Sequence, residues 1–230
     1  KRLNEKIRDL RKEARLKFNV YDCIVGVSGG KDSTRQALWV KDRLKMNPLL
    51  VCCAYPPYQI TDIGAKNLNN LINHGFDIIT DTPAPDTARK LSKKSFIEFG
   101  NVCKASEMAL FSSVPRIAIE LDIKLIFWGE NVALQVGDKK TEGIDPLDAN
   151  NLRNLNTLVE GGIGWMNGAM KDEYKKEHYK YPDVTEFKKK NIQILYLGPA
   201  WDDWSNKMNS TFGSLNGLNL RPGEENITGD

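Results

Sequence analysis

One stretch of the chain, Gly26-Val27-Ser28-Gly29-Gly30-Lys31-Asp32-Ser33, combines the residue types that bind a phosphate group. The apolar run Cys23-Ile24-Val25 before it predicts a buried strand, and apolar residues at helical spacing between Thr34 and Met46 predict a helix after it. At such a strand–loop–helix junction, backbone N–H groups and the positive end of the helix dipole face an anion. We therefore expect a nucleotide phosphate to contact Ser28, Gly29, Gly30, Lys31, Asp32 and Ser33.

Two common phosphate-binding motifs do not fit this stretch. A Walker A loop needs an earlier glycine where this chain has Val25, and a hydroxyl residue where it has Asp32. The glycine spacing of a dinucleotide-binding fingerprint does not occur here either.

The residues from Ser28 to Ser33 resemble the pyrophosphate loop of the N-type ATP pyrophosphatases, whose signature is Ser-Gly-Gly-x-Asp-Ser. The resemblance implies that ATP is bound and that the loop holds its β,γ-pyrophosphate while the α-phosphate is attacked. Lys31 is the natural charge partner of the phosphate oxygens, and we expect Asp32 to hold the Mg²⁺ that ATP brings. The alternative for Asp32 is an interaction with the dipole of the following helix.

Strands that alternate with helices predict an α/β fold, a parallel sheet with helices on both faces. We expect strands at Cys23–Val25, Leu49–Ala54, Phe76–Thr80, Lys124–Trp128 and Ile192–Leu197. Helices are expected at 61–74, 86–99 and 107–121, with another that ends at Lys188-Lys189-Lys190. The family resemblance implies an adenine nucleotide alpha-hydrolase-like (HUP-type) sheet with strand order 3-2-1-4-5.

Length and composition predict one sizeable domain, since the chain has 230 residues of which 40% are hydrophobic. We divide it into a basic amphipathic helix at 1–19, the ATP pyrophosphatase domain at 20–212 and a poorly ordered tail at 213–230. No apolar stretch reaches the roughly 18 residues of a membrane span. The four cysteines lack paired metal-ligand spacing, so we interpret them as buried free thiols of a cytoplasmic protein. The net charge of +3 neither favours nor excludes nucleic acid.

In parallel sheets, ligands bind at the carboxyl ends of the strands. This rule brings the loops 28–33, 55–62, 129–135 and 198–204 to one edge. Glu130 and Asn131 directly follow a strand, and Glu130 is suited to orient a substrate, bind a metal or position ammonia. The aromatic loop Tyr55 to Tyr58 fits a sugar or a base, or else packs internally. Trp201-Asp202-Asp203-Trp204 fits a carbohydrate contact or a core packing role equally.

Later motifs are similar to those of the N-acetyl sugar amidotransferases of bacterial surface polysaccharide and nonulosonic acid biosynthesis. In chain order these motifs are Tyr55-Pro56-Pro57 with Asp62-Ile63-Gly64, Val114-Pro115-Arg116, Ile126-Phe127-Trp128-Gly129-Glu130-Asn131 and Tyr196-Leu197-Gly198. The resemblance covers residues 20 to 205 in order. It implies an enzyme that adenylates the oxygen of a sugar N-acetyl group and then lets ammonia displace AMP, which leaves an acetamidino sugar for lipopolysaccharide or pseudaminic-type acid biosynthesis.

This resemblance also assigns roles to individual residues and partners. We expect Lys31, Asp32 and Glu130 to be catalytic. The further contacts expected are Ala54, Tyr55 and Gly129 for the nucleotide, and Tyr58, Arg116, Asn131 and Trp201 for the acceptor. The acceptor is expected to be an acetamido sugar or sugar nucleotide, and a separate glutaminase with its ammonia channel is expected to supply nitrogen. Neither a membrane nor nucleic acid is an expected partner.

Family members usually carry a cysteine-rich segment before the first helix, which this chain lacks, so any structural zinc is expected in that segment.

Two other functions fit the same loop. A tRNA-modifying enzyme would adenylate a base carbonyl, which the lysine-rich stretches 1–19 and 171–190 favour and the lack of a Cys-x-x-Cys pair opposes. A non-catalytic nucleotide sensor would bind ATP without releasing pyrophosphate, and would have no need of an intact pyrophosphate loop.

Overall fold

The computed structural model describes residues 5, 7–9, 12, 20–54, 61–128, 158, 162–198 and 201–220. Expected contacts at Tyr55, Tyr58, Gly129, Glu130 and Asn131 lie outside the described residues, as does the tail beyond Leu220.

Five parallel strands form the sheet at the centre of the fold, in the order β3-β2-β1-β4-β5. The strands are β1 (Cys23–Gly26), β2 (Pro48–Cys53), β3 (Ile78–Asp81), β4 (Leu125–Trp128) and β5 (Gln193–Tyr196). All neighbouring pairs are parallel, and Gly26 of β1 lies opposite Val51 of β2. The predicted α/β fold class and the strand order implied by the family resemblance are confirmed.

The central strands are apolar along their whole length because helices cover both of their faces. Alternate side chains enter different cores: Ile24 packs in one cluster, whereas Val25 packs in the other. Ile126 and Phe127 of β4 divide in the same way. A continuous apolar run is therefore what this sheet requires.

Six described α-helices surround the sheet. They are α1 (Lys31–Asp42), α2 (Asp62–Asn73), α3 (Pro85–Phe99), α4 (Lys104–Glu120), α5 (Val184–Lys190) and α6 (Asn206–Leu215). Helices α3, α4 and α5 contribute to one core, through residues such as Leu91, Met108 and Phe187. Helices α1, α2 and α6 cover the opposite face, where Leu38 and Leu71 are buried. None of the described helices is long and apolar enough to cross a membrane.

Several predicted boundaries shift in the structure. Helix α4 begins at Lys104 rather than residue 107, and β3 spans Ile78–Asp81 rather than Phe76–Thr80. The charged stretch 171–190 holds two elements, a 3-10 helix at Glu173–Tyr179 and then α5. They are separate because a proline at 182 disfavours helix before it, and because Asp183 begins α5 with a capping box.

The C-terminal segment is part of the packed structure as far as Asn219. The expected boundary after residue 212 falls inside α6, which ends at Leu215. Beyond the helix, the amide of Asn67 on α2 donates to the carbonyl oxygen of Asn219 and accepts from its backbone N–H. Asn70 of α2 donates to the carbonyl oxygen of Asn216. Helix α6 is thus tied to α2 as well as to α1.

The N-terminal segment is described in part. Glu5, Ile7, Arg8, Asp9 and Lys12 are helical, and Ile7 is buried in the core that contains α1. The rest of residues 1–19 lies outside the described residues, so the apolar stripe of this helix stays a prediction.

Leu91 tests the core on the α3 side of the sheet. Its side chain is fully buried, so Leu91→Ala is expected to lower the free energy of unfolding by about 2–5 kcal/mol. Leu215→Ala is the matched control because this leucine is 83% exposed, and a change within about 0.5 kcal/mol is expected. Urea unfolding of both variants measures the difference, and equal losses would contradict this assignment of the core.

Candidate functional site

The predicted phosphate loop lies between the carboxyl end of β1 and the first turn of α1. Gly30 is the N-cap residue of α1, and no side chain caps this helix end. The first N–H groups of a helix have no acceptor within the helix, and the helix dipole adds partial positive charge there. This junction therefore has the geometry of an anion-binding site.

Gly29 brings the loop against α2. Its φ angle is +83°, a conformation that residues with a Cβ adopt at a cost. A Cβ atom at this position would lie 3.5 Å from the backbone nitrogen of Leu68 and 3.7 Å from the Cβ of Asn67. Space alone would admit the extra atom, so the backbone angle is what requires glycine.

The two serines of the loop bond within the loop itself. The Ser33 hydroxyl donates to the carbonyl oxygen of Gly30 at 3.2 Å and accepts from the N–H of Ser28 at 3.3 Å. The Ser28 hydroxyl accepts from the N–H of Gly30 at 3.3 Å. These hydroxyls hold the turn in shape.

Lys31 and Asp32 form an ion pair at the start of α1. Lys31 Nζ lies 2.9 Å from Asp32 Oδ2, and the exposed fractions of the two side chains are 7% and 20%. The other carboxylate oxygen, Oδ1, accepts from Asn209 Nδ2 of α6 at 2.5 Å. Each oxygen of the expected metal ligand thus has a protein partner in this structure.

Arg35 extends this network one helical turn further. Its Nη1 donates to Asn209 Oδ1 at 2.6 Å, and its Nη2 pairs with Asp203 Oδ1 at 2.7 Å. The guanidinium carbon lies 5.2 Å from the ring centroid of Trp201 and 5.9 Å from that of Trp204. Neither Arg35 nor Asn209 was predicted from the sequence.

Trp201, one of the expected acceptor contacts, is engaged in ring packing. It stacks on Trp204 with centroids 5.0 Å apart and meets Trp39 of α1 edge-on at 5.1 Å. The ring also packs against the core on the α1 side of the sheet. Of the two interpretations left open for this tryptophan, the described contacts are those of packing.

Arg116 is the other described residue that is expected to contact the acceptor substrate. Its side chain lies at the carboxyl end of β3. Its Nη2 pairs with Asp81 Oδ2 at 2.5 Å, and His178 Nδ1 lies 3.6 Å from Asp81 Oδ1. The N–H of Ala54, an expected nucleotide contact, donates to the carbonyl oxygen of Asp81. This cluster is two strands from β1, or about 10 Å away at the usual strand spacing. Asp81 is another residue that the sequence analysis missed, although it ends a strand at the same sheet edge.

The three buried cysteines are poor nucleophiles. Burial raises the pKa of the Cys52 thiol to about 11. Burial, together with the nearby Asp81 carboxylate, raises the pKa of Cys53 to about 12. The pKa of fully buried Cys23 is also raised by desolvation. Cys103 is exposed, and no group of three or more His, Cys, Asp or Glu residues suited to a metal ion occurs in the described part of the chain.

No protein-family model matches the chain, and no curated protein matches it. Among solved structures, the chain is similar to the U34-tRNA thiolase NcsA from Methanococcus maripaludis, determined with its 4Fe-4S cluster. The two share 15% sequence identity over 99% of this chain and 84% of that chain, with a TM-score of 0.34. At this TM-score, the similarity indicates neither the substrate nor the activity of the present chain.

Gly29 provides a test of the loop geometry. Gly29→Ala is expected to cost about 1–2 kcal/mol of stability through backbone strain and to weaken binding of inorganic pyrophosphate at least about tenfold by displacing the loop N–H groups. Gly100→Ala is the control, since Gly100 also has a positive φ of +66° but ends α3 with open space around it. Calorimetric titration that finds equal pyrophosphate affinities in the two variants would contradict the site.

Proposed function

We propose that this chain is an ATP-dependent amidotransferase that adenylates the oxygen of a sugar N-acetyl group and lets ammonia displace AMP. The observation that carries the nucleotide half of the proposal is the Ser28–Ser33 loop at the uncapped start of α1. The amidotransferase half is supported by the order of the later sequence motifs, from Tyr55-Pro56-Pro57 to Tyr196-Leu197-Gly198.

The chemistry explains why a pyrophosphate loop is useful. The amide oxygen attacks the α-phosphorus, and the bond to the bridging oxygen breaks so that pyrophosphate leaves with the electron pair. Ammonia then adds to the activated carbon and loses a proton, and AMP departs with the former amide oxygen. Negative charge accumulates on the leaving pyrophosphate, where N–H groups of the loop and the Lys31 ammonium stabilise it.

The residues at the loop fit a magnesium ion that arrives with ATP. Mg²⁺ in such sites takes one or two carboxylates, with phosphate oxygens and water completing the octahedron. Asp32 supplies one partly exposed carboxylate beside the loop. When bound, the ion would offset the charge of the phosphates. Lys31 now pairs with Asp32 at 2.9 Å, and its ammonium is proposed to turn from the carboxylate to a phosphate oxygen when ATP binds.

The acceptor is proposed to lie along the sheet edge between the loop and the Arg116 cluster. Arg116 offers donors there and is held by its ion pair with Asp81, and the His178 ring lies beside this pair. Glu130 and Asn131 are proposed to complete the acceptor side, with Glu130 as the group that orients the sugar or ammonia. The sugar is proposed to belong to bacterial surface polysaccharide biosynthesis, and a separate glutaminase to supply ammonia.

The cysteines oppose the thiolation form of the tRNA-modifying alternative. Thiolation by paired catalytic cysteines needs accessible thiolates, and a raised pKa keeps a thiol protonated at neutral pH. Cys52 and Cys53 are adjacent, but they lie on opposite faces of β2 in different cores. The remaining exposed thiol, Cys103, has no second cysteine beside it in the sequence.

Lys31 is the first test of nucleotide binding. Lys31→Ala removes a charge-assisted contact with the pyrophosphate that is worth about 1.5–3 kcal/mol, so ATP affinity should fall roughly ten- to a hundredfold. Lys93→Ala, which removes an exposed lysine on α3, is the matched control and should bind as the wild type does. Calorimetry showing unchanged ATP affinity in folded Lys31→Ala protein would contradict the proposed role.

The reaction itself is tested by measuring pyrophosphate release with ATP and ammonium. Each member of a panel of acetamido sugars and sugar nucleotides is supplied as the acceptor, and bulk tRNA is supplied as the competing acceptor in a parallel assay. We expect pyrophosphate release that requires one acetamido sugar and ammonium, and glutamine alone should not replace the ammonium. The sugar product should be lighter by the difference between oxygen and NH, which mass spectrometry measures. Turnover that requires tRNA, or a product that contains sulfur, would contradict the amidotransferase proposal.

A further inference from the structure

Asn209 on α6 joins two charged side chains of α1. Its amide nitrogen donates to Asp32 Oδ1, and its amide oxygen accepts from Arg35 Nη1. The residue is 1% exposed, so both ends of the amide are satisfied by protein groups rather than by water. The network therefore reaches from the phosphate loop to a residue 177 positions later in the chain.

The chemistry of its neighbours determines which way this amide points. A guanidinium group can only donate, and an ionised carboxylate can only accept. The oxygen of Asn209 must therefore face Arg35, and its nitrogen must face Asp32. A flipped amide would set donor against donor at Arg35 and acceptor against acceptor at Asp32, which leaves all four polar groups badly paired.

Arg35 is itself held from several sides. Asp203 pairs with its second terminal nitrogen, and the rings of Trp201, Trp204 and Phe212 lie 5.2 to 5.9 Å from its guanidinium carbon. Fixing Arg35 fixes the Asn209 amide, and that amide in turn fixes one oxygen of Asp32. The second oxygen remains directed at Lys31, on the side of the loop.

We propose that Asn209 is a positioning residue, which holds the Asp32 carboxylate in the orientation that receives the magnesium of bound ATP. The inference rests on the proposed function, because that function gives Asp32 its metal. Asn209 itself need not touch the nucleotide: its amide nitrogen occupies Oδ1, which directs Oδ2 towards the ion once Lys31 turns to the phosphates. Helix α6 then lines one side of the nucleotide site, although its sequence carries no recognisable nucleotide-binding motif.

The experiment compares ATP affinity with and without Mg²⁺ by calorimetric titration, using chelator for the metal-free arm. The readout is the factor by which Mg²⁺ increases ATP affinity, a ratio that general loss of stability does not change. Asn209→Ala should lower this factor about tenfold, as expected when a charge-assisted hydrogen bond to the metal ligand is lost. Asn70→Ala is the control, since it removes an amide contact from α2 to the end of α6 that lies away from Asp32, and its factor should equal that of the wild type.

A double-mutant cycle separates positioning from simple packing. If Asn209 acts through Asp32, then Asn209→Ala should have no further effect on the Mg²⁺ factor in an Asp32→Ala background. Additive losses, or a factor in Asn209→Ala that equals the wild-type value, would overturn the inference. Failure of the wild-type protein to bind ATP at all would instead contradict the proposed function, so the two failures are distinguishable.

Discussion

The turn at Gly29 is the constraint on which the candidate site depends. A positive φ angle lets the chain leave β1, pass against the backbone of α2 and enter α1 within a few residues. Because Gly30 then caps α1 without a side chain, the helix end faces the carboxyl edge of the sheet with its N–H groups available to an anion. The direction of α1 also brings Asp32 and Arg35 into contact with α6.

The polar groups between α1 and α6 are better explained as groups that orient the Asp32 carboxylate than as groups that stabilise the fold. Buried ion pairs often contribute little net stability, because desolvation offsets the attraction between the charges. Lys31, Asp32, Arg35 and Asn209 are nevertheless linked in one chain of hydrogen bonds. An apolar interface would pack these helices equally well, but it would leave the carboxylate beside the phosphate loop without a defined direction. The proposed site, which would bind a metal and several phosphate oxygens, needs that direction.

Local patterns predicted the parts of the molecule that depend on neighbouring residues. The apolar runs predicted the strands, and the contiguous Ser28–Ser33 motif predicted a strand–loop–helix junction that the structure contains. The strand order followed from the family resemblance rather than from the residues. Asn209 was out of reach, because its partners Asp32 and Arg35 become neighbours only in the folded chain. Asp81 was within reach of the strand-end rule, but the predicted strand stopped one residue too early. For Trp201, the sequence could not distinguish internal packing from sugar binding, because both use the same aromatic side chain.

We propose that this chain transfers the adenylyl group of ATP to an amide oxygen. Labelling the N-acetyl carbonyl oxygen of the accepted sugar with ¹⁸O tests it most directly, because that oxygen must leave as part of AMP. We predict that mass spectrometry finds the label in AMP, formed together with unlabelled pyrophosphate and the acetamidino sugar. AMP without the label, or ADP and phosphate as the products of ATP, would contradict adenylyl transfer to the amide oxygen.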